Sequence, residues 1–400
     1  MEPASADIFS WRRVAVPVYG PTLLVAIGAG AILPLIALSA RELGAGVGTA
    51  ALVVALLGVG QLVGDLPAGV LAARIGERRA LIIACVVDAA ALVGAFWAPT
   101  VLLLCLAVFV AGLAGAVFSL ARQAYLTAAV PIRIRARAMS SLGGIFRVGS
   151  FIGPFVAALL VSRFAIASAY GFAAAMSLAA AGLAALLPDL PPPAQSSPRE
   201  DRGQIPRLSM VAVLVAHRRV LLTLGTGVLV LSAARSTRQA IVPLWAQDQG
   251  IDAATTSIIF GISAAVDMLL FFPGGMIMDR YGRAFVAVPA MLTLGLGFVL
   301  LPLTHTPLAV GLLACLMGLG NGISAGVVLT LGADAAPSVG RPQFLGGWRL
   351  CADLGHALGP LVIGGITVIA TLGSAAVVMG VATWLGSGWL ARFIPVRLPR

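Results

Sequence analysis

Twelve apolar runs follow one another along this chain, at about 16–39, 49–72, 80–98, 101–122, 139–161, 165–187, 220–245, 255–278, 284–303, 307–332, 347–370 and 372–391. Crossing about 30 Å of hydrocarbon takes roughly 20 residues of helix, and each run is about that long. The pattern predicts an all-α membrane protein of twelve transmembrane helices. Only one long polar stretch interrupts it, Pro188 to Arg219, opened by Pro191–Pro193 and too poor in apolar residues to span. The predicted organisation is therefore residues 1–187 as a six-helix bundle, 188–219 as a cytoplasmic linker and 220–400 as a second six-helix bundle. The end of the linker, Leu208 to Arg219, mixes apolar residues with His217, Arg218 and Arg219, which suits either an interfacial helix or a solvated connector.

Composition agrees. Of 400 residues 60% are hydrophobic and 10% charged, more apolar surface than one soluble core can hide. Net charge is +11, from 26 basic residues, all of them Arg, against 15 acidic ones. Such a balance could indicate nucleic acid, but the positions exclude it. Arg74, Arg78 and Arg79, then Arg133, Arg135 and Arg137, then Arg280 and Arg283, occupy alternate gaps between apolar runs, which is the positive-inside pattern. With Arg12 and Arg13 ahead of the first run and Arg392, Arg397 and Arg400 after the last, both termini are expected in the cytoplasm of a multi-pass cytoplasmic-membrane protein. No cleavable pattern follows the first run, which is expected to be retained. Cys85, Cys105, Cys315 and Cys351 lie in apolar stretches without CxxC spacing, so they read as packing residues, with no metal site.

The halves are related by an ungapped repeat at an offset of 206 residues, Gly69–Ala158 against Gly275–Gly364. It superimposes Gly69, Arg74 and Gly76 on Gly275, Arg280 and Gly282; Gly112 on Gly318; Pro131 on Pro337; and Gly149, Gly153 and Pro154 on Gly355, Gly359 and Pro360. Glycine and proline are the residues least interchangeable for the backbone. Parallel six-span repeats are a transporter architecture, with the substrate site between the halves.

After the second run the chain reads Gly69-Val-Leu-Ala-Ala73-Arg74-Ile-Gly76-Glu-Arg78-Arg79, and after the eighth Gly275-Met-Ile-Met-Asp279-Arg280-Tyr-Gly282-Arg283. These resemble the GxLaDrxGrr loop signature of the major facilitator superfamily. The resemblance implies a cytoplasmic latch between the halves, with Asp279 as its acid; Ala73 stands at the acid's place in the first copy, which implies a weaker latch there. A generic tight turn carrying positive-inside charge explains the same residues. In the fifth run Gly149-Ser-Phe-Ile-Gly153-Pro154 resembles the gxxxGPxxGG signature of drug:proton antiporters, and Gly355-His-Ala-Leu-Gly359-Pro360 repeats it in the eleventh. Glycines four apart give a smooth helix face, so dense packing alone is the alternative. An Arg three residues before the fourth-run glycine, usual in that group, is replaced by Phe109 ahead of Gly112.

Ionisable residues inside apolar runs are functional candidates because charge in hydrocarbon is expensive. They are Asp65, Asp88, Arg147, Arg235, Arg238, Asp267, Asp353 and His356. The resemblance places the second helix beside the eleventh and the fifth beside the eighth. Arg147 and Asp267 then sit at similar depths and can pair, as coupling groups or as a static pair; Asp65 and Asp353 can share a proton if they face each other. Arg235 and Arg238, on one face of the cavity-lining seventh helix, suit an anionic or carbonyl-rich substrate, or neutralise carboxylates of the first half. Asn321 is a further cavity candidate, while Asp88 and His356 read as structural. The function expected is secondary transport by alternating access, proton-coupled efflux of a drug-like molecule or metabolite, with proton-coupled uptake as the alternative. A membrane enzyme or a transporter-like sensor would need a nucleophile, metal set or output domain, and His217, His305 and His356 are scattered without ligand spacing. No P-loop and no cofactor motif is present; the partners expected are a small-molecule substrate, protons and the lipid bilayer, with the chain a monomer.

Overall fold

Hydrocarbon offers no partner to a free backbone N–H or C=O, so each apolar run must bond to itself as helix. The computed structural model describes residues 11–130, 132–188 and 210–394, and among these there is no strand. Pro131, Arg397, Arg400 and most of the linker, residues 189–209, lie outside the described residues, as do the side chains of Arg12, Arg13, Ala73 and Arg133. The helices are α1 (Trp11–Ile32), α2 (Ile36–Glu42), α3 (Val47–Ile75), α4 (Glu77–Phe96), α5 (Val101–Ala129), α6 (Ile132–Arg163), α7 (Ser168–Ala185), α8 (Met210–Ala216), α9 (Arg218–Val220), α10 (Thr226–Asp248), α11 (Ala253–Tyr281), α12 (Ala284–Leu300), α13 (Pro307–Ile323), α14 (Val327–Ala335), α15 (Arg341–Ile369) and α16 (Leu372–Phe393). Eleven segments are long and apolar enough to cross a membrane, and the bent pair α1–α2 makes a twelfth when counted as one span.

Two runs that read as single helices are broken. The first kinks by 41° between α1 and α2. Pro34 sits in the break; it has no N–H to donate back, and its ring crowds the carbonyl four residues earlier. The tenth run stops at Ile323 and resumes at Val327, where the Ser324 hydroxyl turns back to the Gly320 carbonyl at 2.8 Å. The end of the linker is neither free nor separate: α8 packs on α15, Val213 is buried and the His217 ring meets Phe344 edge-on at 5.7 Å. A π-turn at Leu221–Gly225 then leads into α10.

Helix pairing follows the repeat. In the first half α1 packs on α6 and α7, α3 on α5, and α4 on α5 and α7; in the second, α10 packs on α15 and α16, α11 on α13, and α12 on α13 and α16. Two seams join the sets, α3 with α15 and α6 with α11, and the repeat operation exchanges one for the other. The glycines lie at the closest approaches. A Cβ at Gly149 or Gly153 would come within 3.0 Å of the α1 backbone, and one at Gly355 or Gly359 within 3.0 Å of the α10 backbone. Gly76 and Gly282 end α3 and α11 in matching conformations, φ +85° and +100°, each returning its N–H to the carbonyl four residues back, Ala72 and Met278. That conformation disfavours any residue with a Cβ. Cys85, Cys105, Cys315 and Cys351 are all free thiols.

Candidate functional site at the seams

Both seams carry charge within their helices, and the two charge clusters are built differently. On the α6–α11 seam Arg147 forms an ion pair with Asp267 Oδ1. Asn321 of α13 donates to the other oxygen, Oδ2, and Arg238 of α10 approaches the same oxygen at 3.9 Å. Phe271 lies beneath the Arg147 guanidinium, its ring centre 4.5 Å away. Arg238 donates to the Ser263 hydroxyl at 2.8 Å, and Arg235 donates to the Ser324 hydroxyl at 2.8 Å and to the Ser324 carbonyl. That carbonyl also accepts from the Val327 N–H at 3.0 Å, within the turn between α13 and α14, so the interruption of the tenth run holds an acceptor for Arg235. Four helices from both halves thus meet at one carboxylate, whose side chain is 12% exposed.

Three predicted residues, Arg147, Asp267 and Asn321, are therefore in contact, with Arg238 close by and Arg235 one turn along the same helix. Ser263 and Ser324 were not legible as members, because serines in transmembrane helices usually bond their own backbone.

On the α3–α15 seam the centre is a residue that the apolar pattern leaves unremarked. Arg349 of α15 reaches across to Asp65 Oδ1 at 2.7 Å and back along its own helix to Asp353 Oδ2 at 3.3 Å. The two carboxylates thus meet on one guanidinium. Asp65 Oδ2 is buried and receives no hydrogen bond. Position 349 falls opposite Gly143 in the repeat, so the duplication gave no signal for it. His356 lies on the same seam, its backbone facing Gly58. Asp88 is held away from both seams by the Ser177 hydroxyl at 2.6 Å, within the first half.

The loop motifs make local contacts. Arg78 donates to the Ala185 carbonyl at 2.6 Å, Arg283 pairs with Asp334 of α14 at 2.8 Å, and Arg280 stacks over Tyr281 at 5.3 Å. Asp279 and Arg74 are exposed, and at Gly69 and Gly275 a Cβ would meet nothing within 4 Å. At the opposite end of the molecule the α3–α15 seam is shut by backbone: a Cβ on Gly48 would lie 3.0 Å from the Gly364 carbonyl oxygen, and one on Gly364 would lie 3.0 Å from that of Gly48.

A duplicated, all-helical set of membrane spans, with two symmetry-related seams and ion pairs across each, defines a transporter architecture rather than an enzyme. The model of the Major Facilitator Superfamily matches residues 22–360 and, separately, 224–400, and the chain belongs to that family. The second match begins where the second half begins, as a duplication requires. A protein of Bacillus subtilis (strain 168), the uncharacterized MFS-type transporter YfkF, is 27% identical over 274 residues, which take in 67% of this chain and 66% of that protein, just under two thirds of its length. Among solved structures, the nucleoside transporter NupG superimposes with a TM-score of 0.74 at 16% identity, covering 94% of this chain and 98% of that one. A D-xylose-proton symporter gives 0.72 at 16% identity, covering 96% and 98%. At that identity the likeness is one of fold.

Proposed function

We propose that this protein is a proton-coupled secondary transporter that rocks its two halves about the α3–α15 and α6–α11 seams, exporting a drug-like molecule or metabolite in exchange for protons. One observation carries the coupling: Asp65 and Asp353, contributed by different halves, both pair with the Arg349 guanidinium, and one oxygen of Asp65 is left bare. Two carboxylates compete for one guanidinium, and a proton on either relieves that competition. Separating the halves would pull Arg349 from Asp65 and change what each carboxylate needs. Proton occupancy and seam closure are thereby linked, which is the requirement for coupling.

In this reading the Asp267 cluster, between the halves, is where substrate is held. The chain divides at its linker into units of 1–187 and 220–400, and the arginine-rich loops face the cytoplasm. Export is supported by the Gly149–Pro154 and Gly355–Pro360 resemblance. Uptake with protons is the second reading, and the likeness in fold to a protein named as a proton symporter favours it.

A susceptibility screen of cells with and without the gene, across many compounds, identifies the substrate. Everted vesicles then separate the readings. Antiport predicts vesicle alkalinisation when substrate is added outside and loss of uptake with a protonophore; indifference to the proton gradient sinks both. Asp353→Asn is expected to abolish gradient-driven transport while substrate exchange without a gradient persists. Wild-type driven transport in that variant removes Asp353 from the coupling.

A further inference from the structure

The cluster at Asp267 holds more positive charge than it balances. Among the described residues, Arg147, Arg235 and Arg238 gather around one carboxylate, and both of its oxygens already have donors in Arg147 and Asn321. Arginine stays protonated, and a guanidinium held away from water without a counter-charge is strongly disfavoured. Half-buried Arg235 donates to the neutral oxygens of Ser324, and the hydrogen bond of buried Arg238 goes to neutral Ser263, with Asp267 3.9 Å away. The Nε of each is buried with no hydrogen-bond partner. Both lie in the middle of the span Arg218–Asp248, three residues apart and so on one helix face.

We infer that the transported molecule carries a carboxylate or phosphate, and that this group docks against Arg235 and Arg238 and supplies the missing negative charge. The planar fork of guanidinium donors suits both groups, and two such forks on one face suit an acceptor with two or three oxygens. Asp267 then works as a fixed counter-charge that holds Arg147 and orients Asn321, while the anion answers the charge left over on α10. A neutral molecule would leave that charge in place. The inference rests on the proposal that the cluster is the substrate site.

The test uses the full chain purified in detergent, at constant ionic strength and chloride. Thermal unfolding is followed with benzoate against benzamide, and glycerol 3-phosphate against glycerol. At saturating concentration at least one anion is expected to raise Tm by about 2–5 °C, with no shift from its neutral partner. Arg235→Gln and Arg238→Gln should each abolish the shift. Arg235→Lys, which keeps the charge, should retain part of it and so separates lost recognition from lost folding. Equal shifts from the neutral partners, an undiminished shift in both Gln variants, or no shift from either anion overturns the inference. The underlying proposal fails differently: anion stabilisation without proton-linked flux in proteoliposomes refutes proton-coupled transport and leaves the anion site. Proton-driven flux of a neutral or cationic compound, unchanged in Arg235→Gln, refutes the anion and leaves the transporter.

Discussion

Asp252 closes the amino end of α11 just outside the span, its Oδ1 accepting from the Thr255 N–H at 2.9 Å and its Oδ2 from the Thr255 hydroxyl at 2.6 Å. Those bonds favour the ionised form and hold its carboxyl below the usual aspartate range. Asp252→Ala is expected to cost about 1 kcal/mol at neutral pH, read by thermal unfolding in detergent. The sign follows from the depressed value: the contribution is complete above the unfolded carboxylate range, about pH 4, and is lost as pH falls through the lower folded value. Wild type and variant should therefore converge in acid. Within the membrane the arithmetic is harsher. Asp267→Asn leaves Arg147 and Arg238 without their carboxylate and is expected to cost about 3–5 kcal/mol. The double variant with Arg147→Gln should cost less than the sum of the two single changes, in a double-mutant cycle read by the same unfolding assay.

Among elements, the glycine faces of α6 and α15 give the sharpest contrast. At Gly355 a new Cβ would come within 3.0 Å of the Leu229 carbonyl oxygen and of Ser232, so Gly355→Ala should destabilise by about 1–3 kcal/mol. At Gly143, inside α6, nothing lies within 4 Å, and Gly143→Ala should instead stabilise by about 0.5–1 kcal/mol. Opposite signs in one unfolding assay would separate packing glycines from incidental ones. The repeat made the first kind legible, since Gly149, Gly153, Gly355 and Gly359 recur at one offset, and each proves to face a helix backbone. Pairing of Arg147 with Asp267 was legible for a similar reason, from depth and helix order together. The break after Ile323 was not. It depends on Ser324 folding back on Gly320, a local competition that apolar periodicity does not register. Arg349 was missed because it lies near the start of an apolar run, where arginine reads as a loop charge, whereas the helix begins at Arg341 and carries it inward.

For the molecule as a whole, the contacts between the halves differ in kind from one end to the other. Backbone meets backbone at Gly48 and Gly364, whereas the charged contacts Asp65–Arg349 and Arg147–Asp267 lie further toward the arginine-rich loops. Cysteines placed at Gly48 and Gly364 are expected to cross-link under mild oxidation and to stop transport, with activity returning on reduction. Full transport by the cross-linked protein would show that this end of the seam does not open in the cycle. The experiment bears on the proposed cycle directly, because that cycle requires the halves to part there for substrate to leave on that side.

That seal has a consequence for how such a protein changes over generations. Gly48 and Gly364 sit on α3 and α15, while the arginines, the carboxylate and the asparagine of the other cluster sit on α6, α10, α11 and α13. If the Asp267 cluster holds the substrate, as proposed above, recognition and this backbone seal are written on separate helices. On that reading descendants could exchange side chains around Asp267, and with them the molecules they carry, while the glycine barrier stays fixed, since no glycine–glycine contact needs to be redrawn for a new cargo.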